Sequence, residues 1–236
     1  MKLKPKSNHP RRPATVAVSL IAVFAALNVV ADFVPVSPVL GFTSFLTLGW
    51  ILSPLAGLML GPFSGGASCL IATLVELFLG LNVLSLGPVG FFRSALAAVQ
   101  TGLLSSGRWK LASAVFGVLI LGWLALPAGR AAAGILVFHI LGLVLILVSG
   151  RRMERSLESR SRWEAGAAVT VSSYCGNISR HLFGNTLLVV FAGLPAQVFL
   201  AAIPFTLVEQ SFFSFASFAL GTALIRLRLR QNTLIG

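Results

Sequence analysis

The chain has 236 residues, 56% hydrophobic and only 10% charged, with 18 lysines and arginines against 6 acidic residues and a net charge of +12. That balance excludes an ordinary water-soluble domain of this size. It also argues against nucleic-acid binding, because the basic residues sit in short loops rather than along a groove interleaved with aromatics.

The apolar runs predict an all-α, polytopic membrane protein with about eight transmembrane helices. A basic cytoplasmic tail (residues 1–13) precedes a single transmembrane domain (14–230) and a short cytoplasmic tail (231–236). Taken in order, the spans cover 14–33, 41–60, 64–79, 88–106, 111–126, 130–149, 165–191 and 196–227. The fifth and sixth form a hairpin broken at Pro127, and the seventh and eighth are long enough to tilt. Either short turn among spans two to four also fits a re-entrant segment. A basic start followed by an apolar run resembles a cleaved secretory signal. An uncleaved first helix fits the later loops equally well and is the preferred reading.

Charge fixes the orientation. All lysines and arginines except Arg93, Arg130 and Arg180 fall into four clusters, at residues 2–12, 108–110, 151–162 and 226–230. With eight crossings all four clusters share one side, and only Arg130 marks the other. That is the positive-inside pattern, and it predicts a plasma-membrane protein with both termini cytoplasmic. Trp109 and Trp163 fall at expected cytoplasmic interfaces and Trp123 near an outer one. Phe212, Phe213, Phe215 and Phe218 read as packing or lipid-facing groups. Cys69 and Cys175 lie inside apolar runs, which argues against a structural disulfide or a metal site.

Polar residues inside spans are costly and therefore mark function or structural ion pairs. Glu76 in the third span and Arg93 in the fourth reach similar depth and can pair. Arg180, His181 and Asn185 lie along the seventh span, Glu209 and Gln210 at matching depth on the eighth, and His139 on the sixth. The depths suggest an Arg180–Glu209 pair. Glu76, Arg93, His139, Arg180, His181, Asn185 and Glu209 are the candidate substrate-binding residues, with Asn82 and Asn177 as secondary candidates. An arginine in such a cavity suits a carboxylate or phosphate, whose geometry its planar donors match.

Catalytic motifs are scarce: there is no G-x-x-x-x-G-K-[ST], no G-x-S-x-G and no H-E-x-x-H. His181 to Asn185 reads H-x-x-x-N, and with Glu76 and His139 it loosely resembles CAAX-type intramembrane metalloproteases. The E-E-x-x-x-R segment of that family is absent. The chain therefore reads as a non-enzyme with no cofactor.

The order of segments carries a further resemblance. Ala22, Ala25 and Ala26 form a small-residue face on the first span. Leu55-Ala-Gly-Leu-Met-Leu-Gly-Pro-Phe-Ser-Gly65 leads toward Glu76, Gly176-Asn177 precedes His181 and Gly184-Asn185, and the last span opens Pro204-Phe205 before Glu209. Over about 200 residues this resembles the substrate-binding S component of an energy-coupling factor transporter. Members of that family usually have about six helices, so the fifth and sixth spans would be an added hairpin.

The resemblance implies capture of a vitamin-like small molecule or related micronutrient in an outward cavity. Release would be driven by a transmembrane coupling subunit and two cytoplasmic ATPase subunits, with the coupling subunit docking on Ala22, Ala25 and Ala26. The chief alternative is a self-sufficient secondary transporter whose Glu76 or Glu209 carries a proton. Substrate-determining residues vary within the family, so no specificity carries over.

Overall fold

Apolar runs punctuated by glycine and proline fold here into helices joined by short turns. A computed structural model describes residues 14–41, 45–80 and 88–235. The first helix, α1 (Ala14–Asp32), leads into a two-stranded antiparallel ribbon, β1 (Pro35–Pro38) with β2 (Phe45–Thr47). Helices α2 (Gly49–Leu60), α3 (Pro62–Phe78), α4 (Arg93–Ser105) and α5 (Trp109–Ala125) follow, with a 3-10 turn at Pro88–Phe92 ahead of α4. The short α6 (Pro127–Ala131) and a 3-10 turn at Ala133–Ile135 precede α7 (Leu136–Ser149). The short α8 (Met153–Leu157), α9 (Arg162–Ala192), α10 (Ala196–Ala201) and α11 (Ile203–Ile235) complete the chain. The all-α class is borne out, with the ribbon as the one sheet among the described residues.

The ribbon is the main departure from the expected elements. Phe45–Thr47 does not belong to the second helix but pairs back on β1, with a bulge between Pro35 and Ser37. Prolines at both ends of β1 suit an edge strand, because they remove donors the ladder does not need. The expected sixth and eighth spans are also each subdivided. Pro127 opens α6 in the first turn, where its missing N–H is no loss, and Pro204 does the same in α11 after the break at Ala202.

Helix α9 is the axis of the bundle. It packs against α2, α4, α5, α7, α8 and α11, and α4 is held between α2, α3 and α9. Small residues allow that density. A Cβ added at Gly57 of α2 would overlap the Ala98 carbonyl oxygen of α4, and one at Gly176 of α9 would run into Thr101. Backbones that approach this closely tolerate only glycine. Around them Leu55, Phe116, Ile146, Ile178 and Phe213 are fully buried in the main apolar core. Gly61 turns the chain between α2 and α3 at φ 83°, a left-handed conformation that glycine adopts without a Cβ penalty.

Large apolar side chains cover much of the outer surface, among them Val18, Val30, Phe78, Val118, Leu121, Val148, Phe215 and Leu227. Thr15–Asp32 and Ile203–Leu227 are each long and apolar enough to cross a membrane. Gly49–Leu60, Pro62–Phe78, Trp109–Ala125 and Ala133–Ser149 are apolar but shorter. Trp163 is exposed, and Trp109 carries Lys110 and Arg151 against its ring. Trp123 departs from its expected interfacial place. It is fully buried and meets Phe199 edge-on, 5.1 Å between ring centres, because α6, the next 3-10 turn and α10 fold over it.

Candidate functional site

Five of the seven residues singled out from the sequence line one cavity. Arg93 comes from the start of α4, Arg180, His181 and Asn185 from α9, and Glu209 from α11. The space it encloses, counted together with its open mouth, is about 670 Å³. Its apolar wall includes Val39, Leu46, Leu188, Val198, Phe199 and Phe205. Along α9 the lining runs from Arg180 to Leu188, about 12 Å of depth at 1.5 Å per residue.

Arg180 is only 2% exposed, and its guanidinium is held in two ways. Its Nη1 donates to Ser53 Oγ at 3.4 Å, and its guanidinium carbon lies over the Trp50 ring, 4.3 Å from the centre. Trp50 in turn stacks on Phe213 at 5.5 Å. The Arg180 Nε has no hydrogen-bond partner. Gly184, one turn along α9, lies beside the Arg93 side chain.

Glu209 takes a hydrogen bond from the Ser37 hydroxyl of β1. This overturns the Arg180–Glu209 pair expected from depth: the helices match in depth, but their rotation aims Glu209 at the ribbon. The carboxylates that act on Arg180 are Asp32 and Glu76. Glu76 is also a charge neighbour of Arg93, as expected, yet its buried Oε1 makes no hydrogen bond. It stands behind the cavity wall, with its carboxyl against that of Asp32.

Asp32 escaped the sequence reading, because an acidic residue at the end of an apolar run looks interfacial. Its carboxylate takes the Thr47 hydroxyl and lies against Gly49, where a Cβ would collide with it. That places negative charge at the N-terminus of α2, where the helix dipole favours it. The signal available in the sequence was the Thr47-Leu-Gly49 step at a helix start.

His139 is fully buried behind the cavity. Its Nε2 is 3.3 Å from His181 Nδ1, the two rings stack at 5.5 Å, and its Nδ1 is 3.0 Å from the Ile135 carbonyl. Asn185 lies 3.4 Å from the same His181 nitrogen. Asn177 is buried away from the cavity lining, and Asn82 lies outside the described residues. On α1, Ala22 and Ala26 are exposed while Ala25 is buried at 5%, so the small-residue face divides between outside and inside.

No family model and no solved structure matches the chain. The chain is similar to the uncharacterized protein MJ0923 of Methanocaldococcus jannaschii, with 29% identity over 159 residues. That match takes in 67% of this chain and 54% of the relative, so the chain spans about half the length of the relative it matches.

Proposed function

We propose that this protein is the substrate-capture subunit of an energy-coupling factor type uptake transporter, embedded in the plasma membrane by about eight crossings with both termini cytoplasmic. It is not an enzyme and uses no cofactor in this reading. The observation that carries it is the cavity: buried Arg180, partly buried Arg93 and a half-buried Glu209 set into an apolar wall between α9 and the start of α11. Such a lining fits a vitamin-sized molecule with an anionic or strongly accepting group, held by planar guanidinium donors. The broad apolar exterior supports the membrane setting, since such a surface is a liability in water. The shorter helices cross where the bilayer thins locally around them.

In this reading Ala22 and Ala26 dock the transmembrane coupling subunit, and two cytoplasmic ATPases supply the energy. A second reading, a proton-coupled secondary transporter, draws on the facing carboxyls of Asp32 and Glu76. Native mass spectrometry of the purified protein in mild detergent tests the first reading. A retained vitamin-sized molecule supports capture, and co-purified ATPases support the coupled complex. Uncoupler-sensitive uptake by the isolated chain in liposomes rejects the capture reading in favour of the second.

A further inference from the structure

We infer that the ligand of this cavity donates a hydrogen bond to His181 Nε2, and so carries an N–H or O–H group as well as the acceptor group that meets Arg93 and Arg180. The inference rests on the capture reading and adds to it the chemistry of the ligand.

His139 Nδ1 lies 3.0 Å from the Ile135 carbonyl oxygen, which can only accept, so that nitrogen carries hydrogen. The ring packs on Phe116 and His181 with no carboxylate acting on it, and a neutral ring protonated at Nδ1 leaves Nε2 as a lone pair. That lone pair faces His181 Nδ1 at 3.3 Å. Two lone pairs at this distance repel, so His181 Nδ1 supplies the hydrogen. Asn185 then turns its carbonyl oxygen rather than its amide nitrogen toward the same N–H, an orientation fixed by the network.

The relay runs from His181 through His139 to a backbone carbonyl and sets one tautomer on the cavity histidine. His181 Nε2 is then a bare acceptor in the cavity wall, with no hydrogen-bond partner among the described residues. A ligand that presents no donor there leaves it unpaired, which discriminates far better than an apolar contact. At the same depth the buried Arg180 presents donors, its Nε unpartnered. Asp32 and Glu76 act on the arginines from outside the lining, so the ligand's acceptor group need not bring a full charge for each guanidinium.

Nitrogen NMR of the full chain, isotope-labelled at histidine and held in detergent micelles, tests the relay without any ligand. Both rings should show a protonated Nδ1 and a bare Nε2, and His139→Phe should release His181 into a tautomer mixture. A protonated Nε2 on His181 in the parent protein overturns the inference while leaving capture intact. The ligand side is read with para-hydroxyphenylacetate and para-methoxyphenylacetate, which differ by one donor. The hydroxyl probe should bind roughly ten-fold more tightly, the worth of one hydrogen bond, and His181→Phe should erase the difference. Equal affinities overturn the inference. Where the purified protein retains a molecule of its own, one without N–H or O–H also overturns it. Binding of neither probe by a protein that retains nothing removes the capture reading and this inference together.

Discussion

The Arg180 guanidinium carbon lies over the Trp50 ring, 4.3 Å from its centre, at the floor of the cavity. Contact of this kind contributes about 0.5–2 kcal/mol, more when water is excluded. The guanidinium also holds its donors in one plane. Arg180→Lys keeps the charge but loses the plane, and we expect ligand affinity to fall about ten-fold, or about 1.4 kcal/mol. Arg180→Ala should abolish binding. Isothermal titration with the molecule recovered from the native protein checks both, and an unaltered Lys variant would remove the planar-donor argument.

Asp32 and Glu76 are charge neighbours of Arg93 and Arg180, with Glu76 and Arg180 buried and Asp32 and Arg93 partly so. Removing one member leaves its partners uncompensated, which costs about 3–5 kcal/mol for a buried pair. Asp32→Ala should therefore lower the melting temperature in detergent sharply. Glu164→Ala, at an exposed helix start, should barely move it. Similar losses for the two variants would show that the buried charges are not mutually balanced.

The α2–α4 crossing depends on Gly57, whose Cα faces the Ala98 carbonyl. Gly57→Ala should destabilise by about 1–3 kcal/mol through overpacking. Gly117 on α5 has open space where a Cβ would go, so Gly117→Ala should be neutral or slightly stabilising. Thermal unfolding of the two variants side by side gives the comparison, and a stable Gly57 variant would contradict the packing described.

Burial separates the alanines of α1. Ala22→Leu and Ala26→Leu point outward and should spare ligand binding while blocking co-purification with the coupling subunit. Ala25→Leu pushes into a buried site and should lower stability instead. Intact complexes with both outward variants would remove the docking face.

Glu164 opens α9, accepts hydrogen bonds from Ser156 and Ser159, and its backbone N–H is capped by Ser161 Oγ. The two hydroxyls hold its carboxyl below the usual glutamate value, with Ser159 the stronger influence. A lowered folded value means that its stabilising effect is full above the ordinary glutamate range and fades as pH falls through the folded value. Ser159→Ala should raise the titration midpoint of Glu164, read by carboxyl carbon NMR. An unmoved midpoint would exclude that hydrogen bond in solution.

The helices were legible because apolar runs and their glycine and proline punctuation are local. α5 and α9 lie within three residues of their expected ends at both termini. Five cavity residues were legible because polar groups inside apolar runs are expensive wherever they lie. The ribbon was not, since a few residues pairing across a turn leave no periodic trace. Helix rotation was hidden too: Glu209 and Arg180 share a depth, yet one faces Ser37 and the other Trp50. Asp32 was missed because its meaning depends on Thr47 and Glu76, neither of them near it in sequence.

The bond between Ser37 and Glu209 joins residues 172 positions apart, one on the first ribbon and one on the last helix. During synthesis the early helices carry Asp32, Glu76 and Arg93, two acidic groups against one basic. Arg180 and His181 emerge later, and the wall that Glu209 completes arrives later still. A chain that ends before α11 therefore lacks both the arginine-facing wall that Glu209 and Phe205 complete and the anchor that Glu209 gives the ribbon.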